Sequence, residues 1–235
     1  MKLKICLHTT AAVALTALLL VFSSMVGAQE EHAVVPKDSA AARWTFDDVE
    51  AGKLPRGWKA EGTNQRGPVA RWVVKADADA PSKPNVLALT DAKEGWGGTF
   101  NLLWMDKMKF KDGVIEVKVK AGTGREDQGG GPIWRVQDKD TYYIARWNPL
   151  EDNFRLYYVK DGARKTLEDA KVKADPARWH TIRIEQSGDE IKCSFDGKEL
   201  MKTRDATFPG AGGVGLWTKA DALTSFDDLI VSRTP

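Results

Sequence analysis

Cysteine and histidine are scarce in this sequence. Of 235 residues, two are cysteine and three are histidine. Cys6 falls in an N-terminal leader, so a chain that has lost the leader keeps only Cys193 and can form no internal disulfide. Cys-x-x-Cys and His-Glu-x-x-His do not occur, nor do the Gly-x-Ser-x-Gly of a nucleophile elbow or a phosphate-loop pattern. An excess of one charge is missing as well. Taking Lys2 and Lys4 of the leader from 35 basic side chains leaves 33, which matches 33 acidic ones. A neutral chain offers no general attraction to nucleic acid or to an anionic membrane. Beyond Gln29 no segment carries a helical apolar stripe longer than about three turns.

The leader differs from the rest. Lys2 and Lys4 precede an apolar run from Ala11 to Phe22 that only Thr16 interrupts. Small residues at Val26 and Ala28 then frame a cleavage point before Gln29. This is the layout of a signal peptide over residues 1–28, and the run is short for a bilayer span. An uncleaved anchor is the alternative. The expectation is an exported protein, periplasmic or extracellular, with no membrane attachment after cleavage. Residues 29–42, polar and Ala-rich, read as a disordered tether, and residues 43–235 as one domain.

From Arg43 onward, short alternating runs are broken by Gly, Pro, Asn and Asp. Val114–Lys120, His180–Glu185 and Glu190–Phe195 place an apolar residue at every second position, the signature of a half-buried strand. Asp112-Gly113, Asp161-Gly162 and Asp196-Gly197 stand at run ends and suit tight hairpins. The pattern predicts an all-β, two-sheet antiparallel sandwich. Cys193 shares a strand face with Ile191 and Phe195, as a small buried hydrophobe would. His180, beside Trp179 at a strand start, reads as a structural histidine.

Three stretches carry a family resemblance. The first is Ala177-Arg178-Trp179-His180-Thr181-Ile182-Arg183-Ile184 with Phe195-Asp196-Gly197-Lys198-Glu199-Leu200. The second is Gly212-Gly213-Val214-Gly215-Leu216-Trp217 with Ser225-Phe226-Asp227-Asp228-Leu229-Ile230-Val231. The third is Gly129-Gly130-Gly131, Trp134-Arg135-Val136-Gln137-Asp138 and Tyr142-Tyr143-Ile144-Ala145-Arg146. Together they resemble the concanavalin A-like lectin/glucanase superfamily, including laminin-G-like modules and the secreted bacterial 3-keto-disaccharide hydrolase domain group. The resemblance implies a jelly-roll sandwich with glycans bound on the outer face of one curved sheet. It implies activity only weakly, because the fold hosts lectins, glycosidases and adhesion modules alike.

Parity along three central strands defines a candidate site. Trp134, Val136, Tyr143, Ala145, Trp147, Phe154, Leu156 and Tyr158 fall on one apolar face and read as core. Arg135, Gln137, Tyr142, Arg146, Asn148, Arg155 and Tyr157 fall on the other. Aromatic rings pack on the C–H face of a pyranose, while Arg, Gln and Asn bond its hydroxyls in fixed directions. The three arginines would also suit an anionic sugar. A solvated face with cross-strand pairs is the competing account. Trp96, within Gly95-Trp96-Gly97-Gly98, is either a further stacking platform or a core residue. The loop Gly124–Gly131 borders this face, its glycines suited to a bound ligand or simply to a flexible hairpin.

For catalysis, the Glu-x-Asp-x-x-Glu strand of retaining glucanases is missing. The strand that comparable order would place there reads Arg135-Val136-Gln137-Asp138-Lys139-Asp140. Glu126, Asp127, Asp138 and Asp140 are the remaining acids or bases, Glu126 and Asp138 being the candidates put forward. Phe46-Asp47-Asp48 and Phe226-Asp227-Asp228 echo one another, and in the resembled fold the terminal strands adjoin. Asp48 and Asp228 are therefore candidate ligands for a structural Ca²⁺, or strand-end caps. The primary expectation is a lectin-like module that binds an oligo- or polysaccharide. The alternative, implied by the resemblance, is a hydrolase or lyase acting on 3-keto-glycosides. A protein-binding module for cell-surface assembly is the third reading.

Overall fold

The structure, a computed structural model, describes residues 41–92 and 97–234. The expected signal peptide, the tether through residue 40 and Trp96 lie outside the described residues. Among these, fifteen strands and no helix occur. In chain order the first are β1 (Ala42–Trp44), β2 (Lys59–Thr63), β3 (Arg71–Ala76), β4 (Asn85–Asp91) and β5 (Phe100–Phe110). Next come β6 (Gly113–Ala121), β7 (Gly131–Asp138), β8 (Thr141–Asn148), β9 (Asn153–Lys160) and β10 (Ala163–Lys171). The last are β11 (His180–Ser187), β12 (Glu190–Phe195), β13 (Lys198–Arg204), β14 (Gly212–Lys219) and β15 (Thr224–Arg233). Ala42, expected to end the tether, already pairs with Val231, so ordered structure begins before Arg43.

Two antiparallel sheets form the sandwich. The first runs β13-β12-β11-β6-β15-β4-β3, with β1 also on β15; the second runs β10-β9-β8-β7-β14-β5-β2. Asp161-Gly162 and Asp196-Gly197 join β9 to β10 and β12 to β13 with positive φ at both residues, the backbone that the sequence pattern anticipates. Between the sheets lies the main core, where Trp72 and Phe226 meet Trp134, Tyr143 and Trp147. Cys193 is fully buried there, and burial pushes its thiol pKa up, which leaves it an inert hydrophobe. His180 packs on Trp147 and Phe195, with ring nitrogens 2.7 Å from the Asp196 carboxylate and 2.8 Å from the Asp175 carbonyl. It is a structural histidine.

The second sheet has a further apolar layer on its other face. Phe100, Leu102, Trp104, Ile133, Val136, Tyr142, Ile144, Tyr157, Val159 and Trp217 are all buried and all belong to this sheet. The cause is curvature. In a flat sheet β10 and β2 would stand about 29 Å apart, six strand spacings. Instead, Asn64 just past β2 donates to the Gly162 carbonyl before β10 at 2.9 Å. Thr63 of β2 meets the Tyr142 hydroxyl of β8 at 2.8 Å, and Arg164 of β10 lies 5.3 Å from the Phe100 ring of β5. The sheet curls until its edges meet over its own concave face.

Candidate functional site

The residues expected on one outward face separate into three environments. Arg135 is the first correction. It has φ 48°, and the pairing of β14 with β7 shifts at this point, so Arg135 is a bulge residue. The extra residue reverses parity: Trp134 enters the main core, while Val136 joins the concave layer rather than the core. The Arg135 side chain is 1% exposed. Its Nε donates to the Lys111 carbonyl, Nη1 to Phe208, and Nη2 to Gly188 and to the Asp112 carboxylate. It ties together the β5–β6 turn, the β11–β12 turn and the segment after β13. Gln137 is exposed beside it and bonds only the carbonyls of Arg135 and Ala211 among the described residues.

Tyr142 and Tyr157 do share the concave face, but both are buried there. The Tyr142 hydroxyl meets Thr63 and accepts from Trp217 Nε1 at 3.1 Å; burial pushes its pKa up. It closes the middle of the sheet and offers no open stacking platform.

Arg146, Asn148 and Arg155 gather at the far end of the β7–β8 hairpin, about 13 Å along the strands from Arg135. Their centre is Asp127, a residue that parity along the strands does not reach. Asp127 is fully buried and accepts from Arg146 Nη2 at 2.8 Å, Lys219 Nζ at 3.0 Å and Asn148 Nδ2 at 3.4 Å. Asp221 directs it inward: its carboxylate accepts the backbone N–H groups of Arg125 at 2.7 Å and of Glu126 and Asp127 at 3.0 Å. Burial acts to raise the Asp221 pKa, but these N–H bonds prevail and hold it below the ordinary carboxylate value. Gly130 and Gly131 lie directly against the Trp217 and Ala145 carbonyls, with no room for a Cβ. The glycine run thus serves strand packing.

The rim adds Glu151, which accepts from Arg155 at 2.9 Å and Asn153 at 2.8 Å, with Arg146 Nη1 3.7 Å away. Arg155 also donates to Asp169 at 2.7 Å. Arg164, from β10, lies over the Tyr157 ring at 4.4 Å. Two buried guanidinium nitrogens find no hydrogen-bond partner: Arg146 Nε and Arg164 Nη1. Asp127, Lys219 and Arg164 were not among the expected ligand-binding residues. The sequence places Asp127 only among the possible acids and bases of the loop 124–131.

Glu126 and Asp138 flank opposite ends of β7, whose length alone separates them by about 23 Å. Glycosidase carboxyl pairs stand about 5–9.5 Å apart, so these two form no such pair. Asp138 accepts the Asp140 backbone N–H and caps the β7–β8 turn. The terminal strands do adjoin, β1 on β15, and three of the four acidic residues expected there have protein partners. Asp228 is ion-paired to Arg43 at 2.7 Å, Asp227 accepts from Ser82, and Asp47 accepts the Asn85 N–H. Asp48 is exposed. Among the described residues no three His, Cys, Asp or Glu side chains group as metal ligands.

No protein-family model and no curated protein matches the sequence. Solved structures do match in fold. The carbohydrate-binding module CBM66 from Bacillus subtilis superposes with a TM-score of 0.58 at 19% identity, over 75% of this chain and 96% of that one. A β-glucanase from Bacillus licheniformis gives 0.55 at 11% identity, over 83% and 98%. A Bacteroides ovatus mixed-linkage glucan GH16 protein in complex with its G4G4G3G product gives 0.56 at 11% identity, over 81% and 98%. The protein has the concanavalin A-like jelly-roll fold. That fold is shared by carbohydrate-binding modules and glycoside hydrolases.

Proposed function

We propose that this chain is an exported, non-catalytic carbohydrate-binding module. Its glycan would engage one end of the curled sheet, at the part-exposed rim of Arg155, Arg164 and Lys219 beside the buried Asp127, Arg146 and Asn148. One observation carries the reading: a cluster of directional hydrogen-bonding groups beside the Tyr157 ring, at the one end of the concave face where a polar cluster replaces the apolar closure, among the described residues. Such a set of fixed donors and acceptors is what sugar hydroxyls demand. The carboxylate placement favours binding over hydrolysis, since Asp127 is locked in two ion pairs.

A glycan array probed with the purified protein tests this. Hits are expected, and Arg155→Ala, at the half-exposed rim, should weaken them by roughly five- to tenfold. Gln137→Ala, at the opposite end of the hairpin, should leave them unchanged. An array blank for neutral and acidic glycans alike would remove the proposal.

A further inference from the structure

We propose that the unit recognised at this end of the sheet is an acidic sugar, bearing a carboxylate or a sulfate, drawn to the part-exposed guanidinium of Arg164, which no carboxylate among the described residues pairs, beside the buried Arg146. The inference rests on the glycan-binding reading and narrows it.

Three observations point the same way. The first is the pair of unpartnered donors. Buried polar atoms are nearly always bonded, and an orphaned one on a charged group costs more than on a neutral one. Arg146 is 1% exposed and still leaves Nε unused; Arg164 leaves Nη1 unused. Both belong to the concave face, Arg146 by its place on β8 with Tyr142 and Ile144, and Arg164 by its packing on Tyr157 and Phe100. Tyr157 joins them: its hydroxyl lies 3.4 Å from Arg146 Nη1 while its ring carries Arg164.

The second is the pattern of ion pairs. Among the described residues the cluster sets Arg146, Arg155, Arg164 and Lys219 against Asp127, Glu151, Asp169 and Asp221, the last spent on the backbone N–H groups of residues 125–127. Asp127 serves Arg146 and Lys219, while Glu151 and Asp169 serve Arg155. Arg164 is left with aromatic faces and no carboxylate. An anion would give Arg164 the partner it lacks.

The third is the local field. Burial, the largest influence, holds the Arg164 pKa below its ordinary value; Tyr157 opposes it, Arg146 acts with it, and Asp127 and Glu151 oppose it. A guanidinium under that pressure gains more from an anion than one already paired. Guanidinium groups also match the geometry of planar carboxylate and of sulfate oxygens. A neutral sugar hydroxyl could accept one of these N–H groups, but it would leave Arg164 without a counter-charge.

The experiment uses matched glycan pairs that differ only in charge: oligogalacturonate and its methyl ester, oligomannuronate and its methyl ester, and a sulfated heparin oligosaccharide with its desulfated form. Titration calorimetry should show at least one acidic member binding roughly tenfold more tightly than its neutral partner. That preference should shrink as ionic strength rises. Arg164→Gln, on the partly exposed edge strand β10, should abolish the preference while circular dichroism and melting stay unchanged. Arg164→Lys should restore part of it. Equal binding of both members of every pair would overturn the acidic assignment and leave glycan binding standing. Binding confined to neutral sugars would do the same. Failure of every neutral and acidic glycan would overturn both.

Discussion

Two arginines of the same hairpin, each 1% exposed, have different work. Every nitrogen of Arg135 has a partner, three of its acceptors being backbone carbonyls of otherwise separate loops. Arg146 is held by a carboxylate yet keeps Nε unused beside a charged rim. Burial and residue type do not distinguish them; the inventory of partners does. A guanidinium saturated by main-chain oxygens is a structural clamp, whereas one left with a spare donor in an ionic cluster marks where the proposed glycan site lies.

The comparison can be broken by substitution. Arg135→Ala should be the most damaging change, at about 3–5 kcal/mol in urea unfolding, because three buried or part-buried carbonyls lose their donor at once. Whatever fraction remains folded should bind glycan normally. Asp127→Ala should cost about 3 kcal/mol, since it strands Arg146 and Lys219. Unlike Arg135→Ala, it should abolish binding even in the folded fraction. If the two variants had the same effect on binding, the distinction between the two ends would fail.

Two carboxylates sharpen the contrast through pH, with smaller effects. Asp227 is buried and has a pKa pushed up to about 6, chiefly by burial, although Ser82 and the Asp228 N–H act to lower it. The folded state then holds a proton that the unfolded chain releases near pH ~3.9. Stability from this group therefore falls as pH rises from about 4 to 6, and Asp227→Asn should flatten that fall in a series of melting curves. Asp221, at the Arg146 end, titrates in the opposite sense. Its pKa is depressed, so its contribution is present above about pH 4 and is lost as pH falls further. Asp221→Asn should melt lower than the parent at pH 7, by an amount worth about 1 kcal/mol, and the gap should close on acidification.

Much of the architecture could be read from residue order. Alternation in Val114–Lys120, His180–Glu185 and Glu190–Phe195 became β6, β11 and β12; Asp161-Gly162 and Asp196-Gly197 became hairpin turns, whereas Asp112-Gly113, also expected as a hairpin, carries the chain from β5 of one sheet to β6 of the other. These signals are local: strand parity and positive φ are properties of a few consecutive residues. The candidate site was legible only in part. Arg146, Asn148 and Arg155 were grouped correctly because they occupy neighbouring strands at one level. Arg135 was grouped with them wrongly, because one bulged residue reverses parity and nothing in Trp134-Arg135-Val136 announces it. Asp127, Lys219 and Arg164 enter from a loop, a strand end and a sheet edge that meet only through folding.

The chain's own order of residues determined the strand pattern, the turns and the two-layer β class, since each depends on short-range sterics and on the burial of alternate side chains. Tertiary structure alone decided that the second sheet would curl over its own face, that Tyr142 would seal its middle, and that a charged cluster would gather at one end. Curvature and bulge position are set by hydrogen bonds between residues up to 98 positions apart, such as Asn64 with Gly162. No window of sequence contains both partners of such a bond.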